Sequence, residues 1–196
     1  TFSPGDHFLA TDDLYGGSIR LFHAISQKNG VTYTSVDTGD LEAVQRAWRP
    51  ETKAVYLETP SNPTMRVTDI RAVSQWAHAK GLKVIVDNTF LTPYFQQPLN
   101  LGADIVLHSA TKYLGGHNDL LAGVLVTKHE EDAEKIRFLH NTIGACLDPF
   151  NSWLLSRGLK TLPLRMERHA ASAWKIARWL QGQPKVKKVL YPGLPE

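Results

Sequence analysis

Short apolar runs alternate with stretches of helical spacing along most of the chain. This is the pattern of a parallel α/β sheet with helices on its faces. "HFLATDD", "VTYTSVD", "KAVYLETP", "KVIVDN", "ADIVLHS" and "AGVLVTK" read as strands. "KVIVDN" and "ADIVLHS" are strongly apolar, as central parallel strands buried on both faces should be. Between strands, "GGSIRLFHAISQKNG" reads as one helix closed by Gly30. "DLEAVQRAW" puts Leu41, Val44 and Trp48 on one face behind an N-cap at Asp40. "TDIRAVSQWAHAKG" puts Ile70, Val73 and Ala77 on one stripe and ends at Gly81, the place of a C′ glycine.

The last third turns helical. Glu130 to Ile143 reads as one helix and Phe150 to Leu159 as another. A longer one starts near Pro163, with Met166, Ala170, Ala173, Trp174, Ala177 and Leu180 at helical spacing until Gly182 and Pro184 stop it. The expected organisation is therefore one large domain over 1–182 and, over 183–196, a link towards a further module. No internal repeat or low-complexity segment interrupts it.

Composition narrows the classes. The chain has 196 residues, 42% of them hydrophobic, enough for a sizeable core. Its 22 Lys and Arg against 19 Asp and Glu are too even a balance for a nucleic-acid surface, and no basic run supports one. No stretch is long and apolar enough to span a bilayer, and no signal peptide opens the chain. With Cys146 as the single cysteine no internal disulfide can form, which agrees with a cytoplasmic location. Cys146 is expected to be a small core residue. The opening "TFSPGDHFLA" reads as the lead into a strand, so the expectation is a piece of something longer.

In open α/β sheets ligands sit outside the carboxyl ends of the strands. Those ends carry the chemistry here: Asp12-Asp13-Leu14-Tyr15, Glu58-Thr59-Pro60-Ser61-Asn62-Pro63, Asp87-Asn88-Thr89 and His108-Ser109-Ala110-Thr111-Lys112. A lysine at such a rim, partly buried or beside another positive group, becomes a nucleophile towards carbonyls. Its natural partner is an aldehyde, and pyridoxal phosphate is the aldehyde cofactor that needs the remaining parts. Asp87, after an apolar strand, is placed to keep a pyridine nitrogen protonated. Ser109 and Thr111, two apart on an extended backbone, would point their hydroxyls one way, towards a phosphate. Asn62 can donate to the phenolate oxygen, Tyr15 can stack on the ring, and Gly115 and Gly116 would let the loop after Lys112 swing. Each residue alone has a plainer reading: Asp87 as a metal ligand or cap, Ser109 and Thr111 as turn formers, Asn62 as a turn residue, Tyr15 as a packed aromatic. His108 and His117 have no cysteine near them, which weighs against zinc. The chain also lacks both G-x-G-x-x-G after the first strand and G-x-x-x-x-G-K-[ST].

"DDLYGG", "ETPSNPT", "VDNTF", "PLNLGADIVLHSATKYLGGHNDLLAG" and "RGLKTLPLRM", in this order, resemble the Cys/Met-metabolism family of pyridoxal-phosphate enzymes. Its members include cystathionine gamma-synthase, cystathionine beta- and gamma-lyases and homoserine-ester sulfhydrylases. The resemblance implies the fold-type-I, aminotransferase-like architecture, in which this chain is an incomplete large cofactor domain. It also implies that Lys112 binds the cofactor aldehyde and acts as catalytic base, with Tyr15 as the second catalytic residue. The other cofactor contacts it implies are Asp87 on the pyridine nitrogen, Ser109 and Thr111 on the phosphate, Tyr15 on the ring, Asn62 near the phenolate, and Glu58 in support. "KYLGGHNDLLAGVLV" with "FNSWLLSRGLKTL" is most similar to the branch that replaces the gamma ester of an acylhomoserine with cysteine or sulfide. A lyase on the same scaffold is the alternative, and a fragment with no turnover of its own is the second. A homotetramer with shared sites and small amino-acid substrates are the implied partners.

Overall fold

The structure is a computed structural model and describes residues 2–194; the last two positions of the expected link lie outside it, as does position 1. Six strands form one sheet: β1 (His7–Thr11), β2 (Thr32–Val36), β3 (Thr52–Glu58), β4 (Lys83–Asp87), β5 (Ile105–Ser109) and β6 (Gly123–Thr127). Their order across the sheet is β2-β1-β3-β4-β5-β6. The first five are parallel, and β6 closes one side antiparallel to β5. This is the α/β class and mostly parallel sheet that the alternating pattern implies.

Alternation along each strand divides the core in two. Leu9, Val55, Leu57, Val84, Val86 and Val106 point to one face. There they meet Val44 of α2 (Leu41–Ala47) and Ile70, Val73 and Ala77 of α3 (Ile70–Ala79). The expected cap at Asp40 accepts from the N–H groups of Glu42 and Ala43, and Asp69 caps α3 by accepting from that of Ala72. Gly81 closes α3 with a φ of 70°, a conformation that glycine adopts without a Cβ clash. Trp48, expected on the buried face of α2, instead lies at the surface under the ammonium of Lys80, 4.9 Å from its ring centroid.

Phe8, Ala10, Ala54 and Tyr56 point to the opposite face, where Phe22 packs edge-on against Phe8 and Tyr56. Phe22 follows α1 (Gly16–Leu21), and the expected single helix differs here. Its backbone widens into a π-type turn over Phe22–Ser26 and tightens over Gln27–Asn29 before Gly30 ends it. The same face is less covered than continuous apolar strands suggest: Ile85 and Leu107 are only half-buried. Helix α5 (Glu130–Ile143) stands off from them, leaving an apolar cavity of about 410 Å³ lined by Phe22, Tyr56, Ile85, Leu107 and Ile136.

A short turn of helix, α4 (Thr92–Phe95), follows β4. Helix α7 (Leu162–Gln181) packs Leu162 and Met166 against Ala110 and Leu114, and α6 (Pro149–Leu159) adds Leu155, beneath the turn that carries Lys112. Of the stripe expected on α7, Met166 and Ala177 are buried while Trp174 is exposed. Cys146 is exposed rather than in the core, because it falls in the connection between α5 and α6, away from the sheet.

Candidate active site

The carboxyl ends of β3, β4 and β5 bring three of the expected side chains to one face. Tyr56 pairs with Ile85 and Glu58 with Asp87, so Glu58 and Asp87 are register partners on the face of Phe8 and Tyr56. Leu107 pairs with Asp87, and Ser109 lies two residues further on the same side. His108 points the other way, is buried, and has no hydrogen-bond partner at Nδ1 among the described residues.

Asp87 and Glu58 are carboxylates taken out of water. Burial raises the Asp87 carboxyl above the usual range, opposed by the O–H and N–H of Thr89, which donate to Oδ1 at 2.6 and 3.0 Å. Burial, then the nearby charges of Asp87 and Asp13, push Glu58 up to about 7, against a hydrogen bond from the backbone of Tyr15. That bond, 2.8 Å to Oε2, fixes the start of α1 and hence the phenol beside it. The Tyr15 ring lies directly over Gly17, where a Cβ would fall 2.2 Å from Cε1, and is itself exposed. Among the described residues neither Asp87 nor Glu58 forms an ion pair.

Asn62 sits in a loop held by Asp13, which accepts hydrogen bonds from the Ser61 hydroxyl and from both the N–H and hydroxyl of Thr64. Arg66 closes the same loop onto Asp12 and Asp37. The Asn62 amide is half-buried and bonds to no other described residue.

Three expectations change around Lys112. β5 ends at Ser109, so Thr111 lies in a turn and does not continue the strand. Its hydroxyl accepts from the Ala122 N–H at 3.0 Å and donates to the Ala122 carbonyl at 3.3 Å, engaging it with backbone instead of leaving it beside Ser109. Lys112 is exposed, not partly buried. The two glycines are sites of close packing, not of swing. A Cβ on Gly115 would lie 2.9 Å from the Ala110 carbonyl, and Gly116, at a φ of 77°, packs against the Arg165 guanidinium. Arg165 donates to the carbonyls of Tyr113 and Gly158 at 2.7 and 2.9 Å and to the Thr161 hydroxyl at 3.0 Å. It thus clamps the turn one residue past Lys112. Sequence reasoning missed Arg165 because its partners lie far off in the chain, and missed Thr89 although it follows Asp87 by two residues. The Asx-turn spacing of Asp87 and Thr89 was the available signal. Among the described residues no cluster of three His, Cys, Asp or Glu is placed to hold a metal.

At one rim of the parallel sheet the structure places the buried carboxylates of Glu58 and Asp87 and the Ser109 hydroxyl, with Lys112 three residues further on. Comparison with known proteins gives the class. The family model described as Cys/Met metabolism PLP-dependent enzyme matches residues 1–196, and the chain belongs to that family. Membership implies pyridoxal 5′-phosphate as cofactor. The chain is similar to cystathionine beta-lyase of Lactococcus lactis subsp. cremoris (strain MG1363), at 54% identity over 98% of this chain and 51% of the relative. It is also similar to a cystathionine gamma-synthase/O-acetylhomoserine (thiol)-lyase of Bacillus subtilis (strain 168), at 51% identity over 98% of this chain and 52% of that one. The solved cystathionine gamma-lyase from Lactobacillus plantarum, complexed with L-serine, superimposes with a TM-score of 0.97 at 53% identity, over 99% of this chain and 51% of its own. The chain thus spans about half the length of the relatives it matches.

Proposed function

We propose that the protein makes or breaks a carbon–sulfur bond of a sulfur amino acid with pyridoxal phosphate, and that Lys112 is its catalytic base. The observation that carries this reading is the convergence of Glu58, Asp87 and Ser109 on one face at the strand ends, three residues before Lys112. The donor set suits the cofactor. Asp87 is a buried carboxylate without a cationic partner among the described residues, which matches a protonated pyridine nitrogen.

When bound, the cofactor supplies an electron sink conjugated to the substrate's Cα. The chain's own residues do the rest. Asp87 would keep a proton on the pyridine nitrogen. The Ser109 hydroxyl donates to the phosphate, with Thr111 available only by giving up a bond to Ala122. The Asn62 amide donates to the phenolate oxygen. The Lys112 amine would hold the cofactor aldehyde and, when free, would serve as the base at the substrate's Cα and return protons along the side chain. Tyr15, aligned through Glu58, covers the ring and assists proton transfer at the leaving group.

Within this class the finer reading is gamma replacement: cysteine or sulfide displaces the ester of an acylhomoserine. The motifs around Lys112 and α6 support it, as does the likeness to the Bacillus subtilis synthase. Cleavage of cystathionine is the second reading, favoured by the 54% identity to a beta-lyase. Product analysis separates them. Cystathionine formed from an acylhomoserine and cysteine is the expected result, and rapid pyruvate and ammonia from cystathionine would replace the synthase reading with the beta-lyase one. Lys112→Ala is expected to abolish either turnover, and activity equal to the unchanged protein would contradict the role of Lys112.

A further inference from the structure

We infer that Thr89 is a positioning residue of this site, its hydroxyl tying the Asp87 carboxylate to the backbone of Ser109 so that the ends of β4 and β5 act as one support. The inference rests on the roles proposed above for Asp87 and Ser109.

The backbone pairing of β4 with β5 runs to Asp87 and Leu107, and the Asn88 N–H still donates to the Leu107 carbonyl at 2.9 Å. One step further the ladder is continued by a side chain: the Ser109 N–H donates to Thr89 Oγ1 at 2.8 Å. A hydroxyl has one proton to give. That proton goes to Asp87 Oδ1 at 2.6 Å, and the Thr89 N–H reaches the same oxygen at 3.0 Å. The result is a directed chain, Ser109 N–H to Thr89 O–H to Asp87 Oδ1, in which each bond polarises the next. Oδ1 is engaged twice, which fixes the carboxylate plane and leaves Oδ2 outside this chain of bonds. The Asx turn between Asp87 and Thr89 is a common local device and needs no partner from β5. The bond from Ser109, 20 residues away in sequence, is what couples the two strands.

Under the proposed roles, Asp87 meets the pyridine nitrogen and Ser109 the phosphate, at opposite ends of one rigid ring. A hydroxyl that joins their supports sets the spacing between those two contacts. It also works against the burial that pushes the Asp87 carboxyl towards its neutral form.

The test uses protein expressed from its complete reading frame, as Thr89→Val, which keeps shape and removes the hydroxyl, and as Thr89→Ser, which restores it. In the cofactor-free protein, ¹³C titration of the Asp87 carboxyl is expected to move upward in Thr89→Val and to return to the original midpoint in Thr89→Ser. The Ser109 amide is expected to be protected from hydrogen exchange in the unchanged protein and to exchange about tenfold faster, or more, in Thr89→Val. Pyridoxal phosphate is expected to dissociate from Thr89→Val about tenfold more readily, with Thr89→Ser close to the unchanged protein. An unmoved Asp87 titration together with unmoved Ser109 exchange in Thr89→Val would overturn the inference. Should Thr89→Val fail to fold, a Ser109 amide that exchanges freely in the unchanged protein overturns it, and a protected one upholds it. Failure of the unchanged protein to take the cofactor on Lys112 would sink the functional reading instead, because the titration and exchange are read without cofactor.

Discussion

Glu58 shows how a single side chain at this rim links burial, charge and pH. Its carboxyl is raised from the usual 4.5 to about 7, first by burial and then by Asp87 and Asp13. The native state therefore keeps a proton that the unfolded chain releases, and stability is lost as pH rises between those two values. Glu58→Gln retains an oxygen for the Tyr15 N–H and removes the titration. Denaturation across pH should show the variant gaining on the unchanged protein from about pH 4.5 to 7 and holding a constant difference above that. Parallel stability curves over that window would contradict the account of Glu58. At this scale the sequence was informative wherever a side chain ends a strand. Glu58, Asp87 and Ser109 come to the rim as strand-end residues, and all three share a face. It was uninformative where the partner is remote. Thr111 is engaged by Ala122, 11 residues on, and Arg165 reaches back 52 residues to the turn after Lys112. No local spacing announces such bonds.

At the scale of elements, the turn carrying Lys112 is shaped by what packs beneath it. Gly158 of α6 lies so close to the turn that a Cβ there would fall 2.2 Å from the Gly115 carbonyl oxygen, a backbone atom. Gly158→Ala should therefore push α6 away from the turn and cost about 1–3 kcal/mol, as overpacking does. Urea denaturation measures it, and an unchanged midpoint would show that α6 does not hold the turn. The cap of α2 was legible because Asp40 acts within its own first turn. The π-type turn at Phe22 was not, since it arises from packing Phe22 against Phe8, Tyr33 and Tyr56, contributed by three different strands. Nor was the partial exposure of Ile85 and Leu107. A continuous apolar run states what a strand tolerates, not what covers it.

At the scale of the molecule, a parallel sheet arranges distant segments into one rim, and function follows from that arrangement more than from any single motif. The fold class was readable because strand and helix periods differ so clearly, and the family was readable because five ordered motifs fall at strand ends and beside α6 and α7. The chain spans about half the length of these relatives. The central claim is that Lys112 alone bonds covalently to the cofactor. Borohydride reduction of the pyridoxal-phosphate-loaded protein, followed by peptide mapping, tests it most directly. A pyridoxyl group on the Lys112 peptide is the result predicted; a label on another lysine, or none at saturating cofactor, would contradict it.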